Sequence, residues 1–185
     1  MATKFNTQHL LVIDLEASCW KGNAPSGQFN EIIEIGICKV DYKTKEVLEK
    51  ESIIVKNKKS EISYFCTELT TLTQEYIDEH GVDFSEACEI LKKKYKSKNT
   101  IWFSWGQYDK NQFKKNCELY NVENPFNNDL HYNIKRLFAI KHGLKNELGV
   151  SNGLEHLGMK FDGTPHRGDD DSMNISKLLK NVFNP

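Results

Sequence analysis

A run of branched apolar residues near the N-terminus, LLVIDLEA within residues 9–17, constrains the fold more than any other segment of the chain. Its composition predicts a β-strand that is buried on both faces. Two carboxylates, Asp14 and Glu16, interrupt this run. Because strand side chains alternate between faces, residues two apart project from the same face. We therefore expect two acids side by side on a central strand, where repulsion and lost hydration disfavour both charges.

The pattern that follows predicts an α/β sandwich around one sheet. Two further strands are expected over residues 32–40 and 48–55, which would form an antiparallel meander with the first strand. Alternating helix and strand come next, as in an α/β domain. Helices are predicted around 68–72, over 84–95, 108–120 and 134–142, around 153–157 and over 172–182. A further short helix is predicted to begin after an N-cap at Thr73. A fourth strand is predicted over 100–105. The 185 residues predict one domain over 1–185, with its core at about 8–182.

Composition excludes several classes of protein. With 38% hydrophobic and 28% charged residues, the chain can bury a core and is not composed like a disordered one. No apolar run approaches the ~20 residues of a membrane-spanning helix, and residues 1–7 do not resemble a signal peptide, so we expect a cytoplasmic protein. Five cysteines without a C-x-x-C pair disfavour a disulfide framework or a cysteine zinc site. The net charge of -1 does not by itself indicate nucleic-acid binding, and lysine clusters at 56–59 and 92–98 are typical of solvated faces.

Two further aspartates begin the buried stripes of predicted helices. Asp109 opens the helix at 108–120, and the inward-facing residues that follow it at offsets of four, eight and eleven are Phe113, Cys117 and Tyr120. Asp171 is followed in the same way, at offsets of four, seven and eleven, by Ile175, Leu178 and Val182. Either aspartate alone could simply favour the positive end of a helix dipole. Their alignment with the buried stripes favours a functional role.

The segment HRGDDDS leads into the last predicted helix and contains one histidine, His166, five residues before Asp171. A loop histidine is usually an ordinary surface residue, but this one can reach the side of the sheet to which Asp171 points. Asp169 and Asp170 are rotated off the buried face, so we interpret them as capping and dipole residues. Three separate segments thus direct carboxylates toward one sheet, which bound divalent cations would stabilise.

This order of motifs resembles the DEDDh branch of the DnaQ-like 3′→5′ exonucleases, in the ribonuclease H-like superfamily, and within it the ERI-1-like and KapD-type members. The H-x-x-x-x-D spacing from His166 to Asp171 is that of the histidine branch, since the tyrosine branch would place Tyr where this chain has Arg167. The chain departs from the family pattern at Asp169, because this position of the motif is usually occupied by an apolar residue. The segments that carry the resemblance are LLVIDLEASCW, NEIIEIGICKVD, YFCTELTTLTQ, SWGQYDKNQF, NIKRLFA and HRGDDDSMN.

The resemblance implies a fold and a metal-dependent activity. The fold is a mixed five-stranded sheet flanked by helices, and the activity is hydrolysis of RNA or single-stranded DNA from the 3′ end to nucleoside 5′-monophosphates, with RNA favoured. His166 would be the general base. Two divalent ions, Mg²⁺ with Mn²⁺ as a substitute, would be held by Asp14, Glu16, Asp109 and Asp171.

The same resemblance implies residues that grip the terminal nucleotide. Phe65 and Tyr108 match positions that stack on or flank the terminal base in related enzymes, and Leu69 matches one that wedges near it. Trp105 is a nearby candidate, although we favour a core role for it. Stacking on such rings contributes about 1–3 kcal/mol per base, whatever its sequence.

Two other functions stay open. A catalytically inactive module that binds nucleic acid or a partner would keep the fold, but such descendants often lose some of the five site residues. A ribonuclease H-type endonuclease also uses clustered acids and two metals, but the D-x-E pair and the His166–Asp171 spacing argue against it. Product analysis separates these classes, because mononucleotides indicate an exonuclease and longer fragments an endonuclease.

Overall fold

A computed structural model describes residues 8–184 as one mixed five-stranded sheet with helices on both faces. The strand order is β3-β2-β1-β4-β5. The strands are β1 (His9–Ala17), β2 (Ile32–Asp41), β3 (Val47–Ile54), β4 (Trp102–Ser104) and β5 (His131–Asn133). The first three form the predicted antiparallel meander, and β4 runs parallel to β1. The expected α/β fold is therefore confirmed.

Strand β1 lies in the middle of the sheet, as its apolar run predicts. Leu11, Val12 and Ile13 are fully buried because helices cover both faces. In the pairing of β1 with β2, Asp14 lies opposite Gly36 and Glu16 lies opposite Glu34. This register brings polar residues of the two strands together at one end of the sheet.

Seven α-helices are present in the described part of the chain: α1 (Tyr64–Thr70), α2 (Gln74–His80), α3 (Phe84–Lys94), α4 (Tyr108–Tyr120), α5 (Ile134–Lys141), α6 (Val150–His156) and α7 (Gly168–Phe183). The predicted bounds of α4 are confirmed at both ends. Thr73 is the N-cap of α2, and its side chain accepts a hydrogen bond from the backbone N–H of Tyr76, as the sequence predicts.

Several elements differ from the sequence prediction, including α1, which spans Tyr64–Thr70 where a helix around 68–72 is predicted. Helix α7 begins at Gly168, four residues earlier than expected, because its first turn lies directly against β2. The fourth strand is confined to Trp102–Ser104, since those three residues are all that pair with β5. Strand β5 itself was not predicted from the residue pattern. Its three residues are too few to show a period of two.

Two apolar layers enclose the sheet. One layer packs α3 and α4 against β1 and contains an aromatic group in which the rings of Trp102 and Phe126 stack at 4.4 Å. The other packs α5 and α7 against the opposite face through Phe103, Ile175 and Leu179. Among residues 8–184, none of the helices has the length and apolarity needed to cross a membrane.

Candidate active site

A cleft of about 360 Å³ opens beside the carboxyl end of β1. It is lined by the four acidic side chains and the histidine that the sequence predicts to form a site. Strand β1 contributes two of these residues, the first turn of α4 contributes one, and the entrance and first turn of α7 contribute two. The five residues are Asp14, Glu16, Asp109, His166 and Asp171. The tertiary structure thus brings segments from the beginning, middle and end of the chain to one place.

Asp14, Glu16 and Asp171 form the tightest part of the cleft. Each offers a carboxylate oxygen, and these oxygens all lie within 4.8 Å of one another. One oxygen of Asp171, Oδ2, is buried and accepts no hydrogen bond from any described residue. A buried carboxylate oxygen without a donor is unfavourable. Among residues 8–184, no donor or cation therefore reaches this oxygen of the cluster.

The same three acids have raised pKa values, and burial is the largest cause for each. Lost hydration and the nearby Asp109 and Asp171 raise the pKa of Asp14 well above its usual range. Burial, with Asp171 next in importance, raises the pKa of Glu16 to about 8. Burial also raises the pKa of Asp171 to about 6, although hydrogen bonds from the backbone of His166 and Arg167 oppose the shift. The cluster resists full ionisation unless a cation is present.

Two glycines explain how α7 reaches this place. Gly36, opposite Asp14 on β2, lies so close to α7 that a Cβ atom added to it would be 1.8 Å from the carbonyl carbon of Gly168. A Cβ added to Gly168 would in turn lie 2.8 Å from the Gly36 nitrogen. Because neither residue has a side chain, the first turn of α7 rests directly on the sheet. Asp171, three residues further along that turn, is thereby placed beside Asp14.

Asp109 is held differently from the other acids. It lies in the first turn of α4 and is only 4% exposed. Its Oδ1 accepts a hydrogen bond of 3.1 Å from the backbone N–H of Leu15, and the backbone N–H of Asp109 itself also bonds to the carboxylate. Burial raises the pKa of Asp109 to about 6 against these bonds. It lines the cleft but lies outside the three-acid cluster.

His166 occupies the exposed rim of the cleft, in the loop before α7. Its backbone has a φ of 62°, in the left-handed region. Such a conformation costs a non-glycine residue about 1–3 kcal/mol and persists only where the surrounding structure enforces it. The position of this histidine is therefore set by its neighbours rather than by local preference.

The residues expected to grip a nucleotide divide into two groups. Leu69 and Tyr108 line the cleft, and the Tyr108 side chain is largely exposed. Trp105 also touches the cleft, but its Nε1 donates to the Leu148 carbonyl at 2.9 Å and its ring packs on Phe138, so it is mainly a core residue. Phe65 is exposed on α1 one turn before Leu69 but does not line the cleft. Its stacking role stays a prediction.

The capping role expected for Asp169 and Asp170 is wrong. The N-cap residue of α7 is Arg167, and no side chain there makes a capping bond. Both aspartates instead pair with Lys50 on β3, at 2.8 and 2.7 Å, because the first turn of α7 lies against the sheet. They lie in the first helical turn, where the helix dipole favours acids.

Two buried glutamates in the NEIIEIG segment were not predicted as site residues, because the segment was interpreted only as a strand. Glu31 and Glu34 are both fully buried. Glu34 accepts hydrogen bonds from the Arg167 guanidinium at 3.2 and 3.1 Å and from the Gly168 backbone N–H at 3.0 Å. An acid within an apolar strand is the signal that selected Asp14, and it could have selected these residues as well.

The donor set fits a divalent cation of the Mg²⁺ or Mn²⁺ type. All candidate ligands are carboxylate oxygens, which such hard cations prefer. The unpartnered Asp171 Oδ2 and the mutual proximity of the Asp14, Glu16 and Asp171 oxygens are the features that a cation would relieve.

Comparison with known proteins agrees with this chemistry. The family model of the RNase_T type, described as exonuclease, matches residues 11–179. The chain belongs to the exonuclease family. The probable 3′-5′ exonuclease KapD of Bacillus subtilis is 32% identical over 182 residues, which are 95% of this chain and 85% of that protein. The 3′-5′ exoribonuclease 1 of Mus musculus is 28% identical, covering 92% of this chain, and the chain spans only 51% of that relative.

Solved exonuclease structures have the same fold. The nuclease domain of 3′hExo, a DEDDh family member bound to rAMP, matches with a TM-score of 0.85 at 27% identity, over 96% of this chain and 92% of that one. The assignment to the DEDDh 3′→5′ exonucleases that the motifs predict is thus confirmed, and with it the dependence of this family on divalent metal. The roles of individual residues in this exonuclease are proposals.

Proposed function

We propose that this exonuclease uses Mg²⁺ to remove nucleotides one at a time from the 3′ end of single-stranded RNA, and less readily of DNA, with release of nucleoside 5′-monophosphates. The observation that carries the proposal is the convergence of Asp14, Glu16 and Asp171, which offer carboxylate oxygens within 4.8 Å of one another. One oxygen of Asp171 has no donor among the described residues. A structural role does not account for such a cluster, because it destabilises the metal-free fold.

Each part of the cleft has a task in this reaction. The three clustered acids, with Asp109 beside them in the cleft, would hold the metal. When bound, the metal supplies positive charge that stabilises the phosphodiester oxygens as the bond breaks. His166 takes a proton from the attacking water. The water oxygen bonds to phosphorus, and the 3′ oxygen of the penultimate nucleotide leaves with the electron pair of the broken bond.

Two observations support RNA as the preferred substrate. The mouse relative is named an exoribonuclease, and the neighbouring 3′hExo domain is bound to rAMP. The exposed ring of Tyr108 and the side chain of Leu69 border the cleft where a terminal nucleotide would lie.

A cytoplasmic location follows only from the sequence and stays a prediction.

Direction, substrate and metal can be tested in one experiment. RNA and DNA of the same sequence, labelled at either the 5′ or the 3′ end, are incubated with the protein in Mg²⁺, Mn²⁺ or EDTA. We expect the 3′ label to leave at once as a mononucleotide, the 5′ label to report a ladder of shortening products, and EDTA to abolish both. Internal fragments would indicate an endonuclease, and binding without cleavage an inactive module. Equal rates on DNA would contradict the RNA preference.

A further inference from the structure

The most completely paired carboxylate among the described residues of the sheet belongs to Glu34, near the start of β2. Its side chain is fully buried. It accepts two hydrogen bonds from Arg167, from Nε at 3.2 Å and from Nη2 at 3.1 Å, and a third from the backbone N–H of Gly168 at 3.0 Å. The hydroxyl of Ser52 on β3 donates to it as well. A two-pronged contact between a guanidinium and a carboxylate fixes orientation as well as distance.

The groups that Glu34 holds are the two residues directly after His166. Arg167 is bound through its side chain and Gly168 through its backbone, so both are fixed relative to the sheet. The backbone of His166 and Arg167 also donates to the Asp171 carboxylate. The left-handed conformation of His166, with a φ of 62°, requires a constraint of this kind.

We propose that Glu34 and Arg167 are positioning residues for His166, and that their ion pair holds the histidine loop against the carboxylate cluster. This inference rests on the proposed role of His166 as the general base. Neither Glu34 nor Arg167 contacts the reacting atoms in it. Glu34 lies two residues from Gly36 on the same strand, so one segment of β2 sets both the position of α7 and that of the loop before it.

A direct contact of Arg167 with a substrate phosphate is the main competing role. The Arg167 side chain is 25% exposed, and its N–H groups are already directed at a buried carboxylate. A guanidinium committed in this way has fewer donors for a ligand. The two roles differ in their kinetics, because loss of a phosphate contact raises KM whereas misplacement of a general base lowers kcat.

The test compares Arg167→Met with Arg136→Met. Arg136 is the matched control, because it also pairs with a glutamate, Glu147, but lies exposed on α5 and has no part in the cleft. For Arg167→Met we expect kcat to fall by about 10- to 100-fold, the range for residues that orient a catalytic group, with KM and Mn²⁺ affinity close to wild type. Arg136→Met should keep the wild-type kcat. Arg167→Lys should recover only part of the loss, since an ammonium group cannot form the two-pronged contact.

A second readout follows the loop without relying on activity. Hydrogen exchange of peptides that contain residues 164–171 should be faster in Arg167→Met and Glu34→Gln than in wild type, and unchanged in Arg136→Met, in protein that thermal melting shows to be folded. The double variant Glu34→Gln, Arg167→Met should lose no more kcat than the worse single variant, because both act through one contact.

Three results would overturn the inference. The first is an Arg167→Met protein whose kcat and loop exchange match those of Arg136→Met. The second is a rise in KM at unchanged kcat, which would assign Arg167 to substrate binding. The third is a kcat loss that equals the loss of folded protein. If the wild type has no exonuclease activity, the proposed function fails, and the exchange comparison still decides whether the ion pair holds the loop.

Discussion

Carboxylates of two neighbouring segments, strand β1 and residues 31–34 that lead into β2, have opposite surroundings. Those of residues 31 and 34 are paired with donors: Glu31, which directly precedes β2, accepts the backbone N–H groups of Lys58 and Lys59, both at 2.9 Å, and the hydroxyl of Tyr120. Glu34 is paired with the Arg167 side chain and a backbone N–H. These acids hold a loop, a helix and the histidine segment against the sheet.

The carboxylates on β1 face other carboxylates instead. The carboxylate oxygens of Asp14, Glu16 and Asp171 lie close together, and one oxygen of Asp171 has no partner in the described part of the chain. Burial and mutual repulsion raise the pKa of Asp14 and Glu16. The difference teaches that burial of an acid does not by itself indicate function. The informative feature is a buried acid for which the protein supplies no donor or cation.

The largest effect is expected for Asp14→Asn. The variant should lose about 10³-fold or more in kcat, because bound metal contributes several kcal/mol to the transition state. It should also melt at a higher temperature than wild type in EDTA, since one repelling charge is gone. Rate assays and thermal melting check both effects, with the exposed Asp129→Asn as the control. If the variant were less stable than wild type in EDTA, Asp14 would have a structural role like that of the paired acids Glu31 and Glu34.

His166→Ala should reduce kcat by about 10²-fold or more, the range for a general base. Because His166 is exposed and is not a proposed ligand, stability and Mn²⁺ binding should change little. His166→Asn is a companion variant that tolerates the left-handed backbone, and His80→Ala on α2 is the control. Steady-state rates and Mn²⁺ titration measure the result. Wild-type turnover in His166→Ala would refute this assignment of the base.

Glu31→Ala should have the opposite effects to Asp14→Asn, namely a loss of stability and little change in turnover. Removing this acid leaves two backbone N–H groups and one hydroxyl without an acceptor, so the free energy of unfolding should fall by about 2–5 kcal/mol. Turnover per folded molecule should stay near wild type, because Glu31 does not line the cleft. Urea unfolding measures the stability, and the rate per folded molecule measures the turnover. The variant Glu61→Ala, at an exposed position, is the control. A loss of kcat without a loss of stability would contradict the distinction between the acids that are paired with donors and the acids that line the cleft.

Phe65→Ala tests whether the active cleft extends along α1. If the ring stacks on a base, KM should rise by about 5- to 150-fold, from a contribution of about 1–3 kcal/mol, with kcat retained. The neighbouring Tyr64→Ala, on the same helix and more exposed, is the control. An unchanged KM for a single-stranded RNA would remove Phe65 from the binding site.

The smallest effect concerns pH in the absence of metal. Burial raises the pKa of Glu16 to about 8 and those of Asp109 and Asp171 to about 6. Between their unfolded pKa values near 4 and these folded values, the folded state therefore binds more protons than the unfolded state, and its stability should fall as pH rises toward 8. Mn²⁺ should restore more of the Tm at pH 8 than at pH 6, since protons compete with the metal. A Tm in EDTA that rises over this range would contradict the shifts.

Much of the site could be predicted from local patterns. The alternation of β1 places Asp14 and Glu16 on one face, and the helical stripes behind Asp109 and Asp171 show which way these acids point. Such patterns report the face on which a residue lies. They also carry the family resemblance, which supplied the role of His166 and the fifth strand.

The partners of the buried groups were decided by the tertiary structure alone. The Glu34–Arg167 pair joins residues 133 positions apart, and the contact of Gly36 with Gly168 is equally distant in the chain. No local pattern encodes such a pair, because periodicity shows that a side chain is buried but not what it meets. The sequence alone therefore determined which acids turn inward, and only the folded chain decided which of them would find a donor and which would be left for a metal.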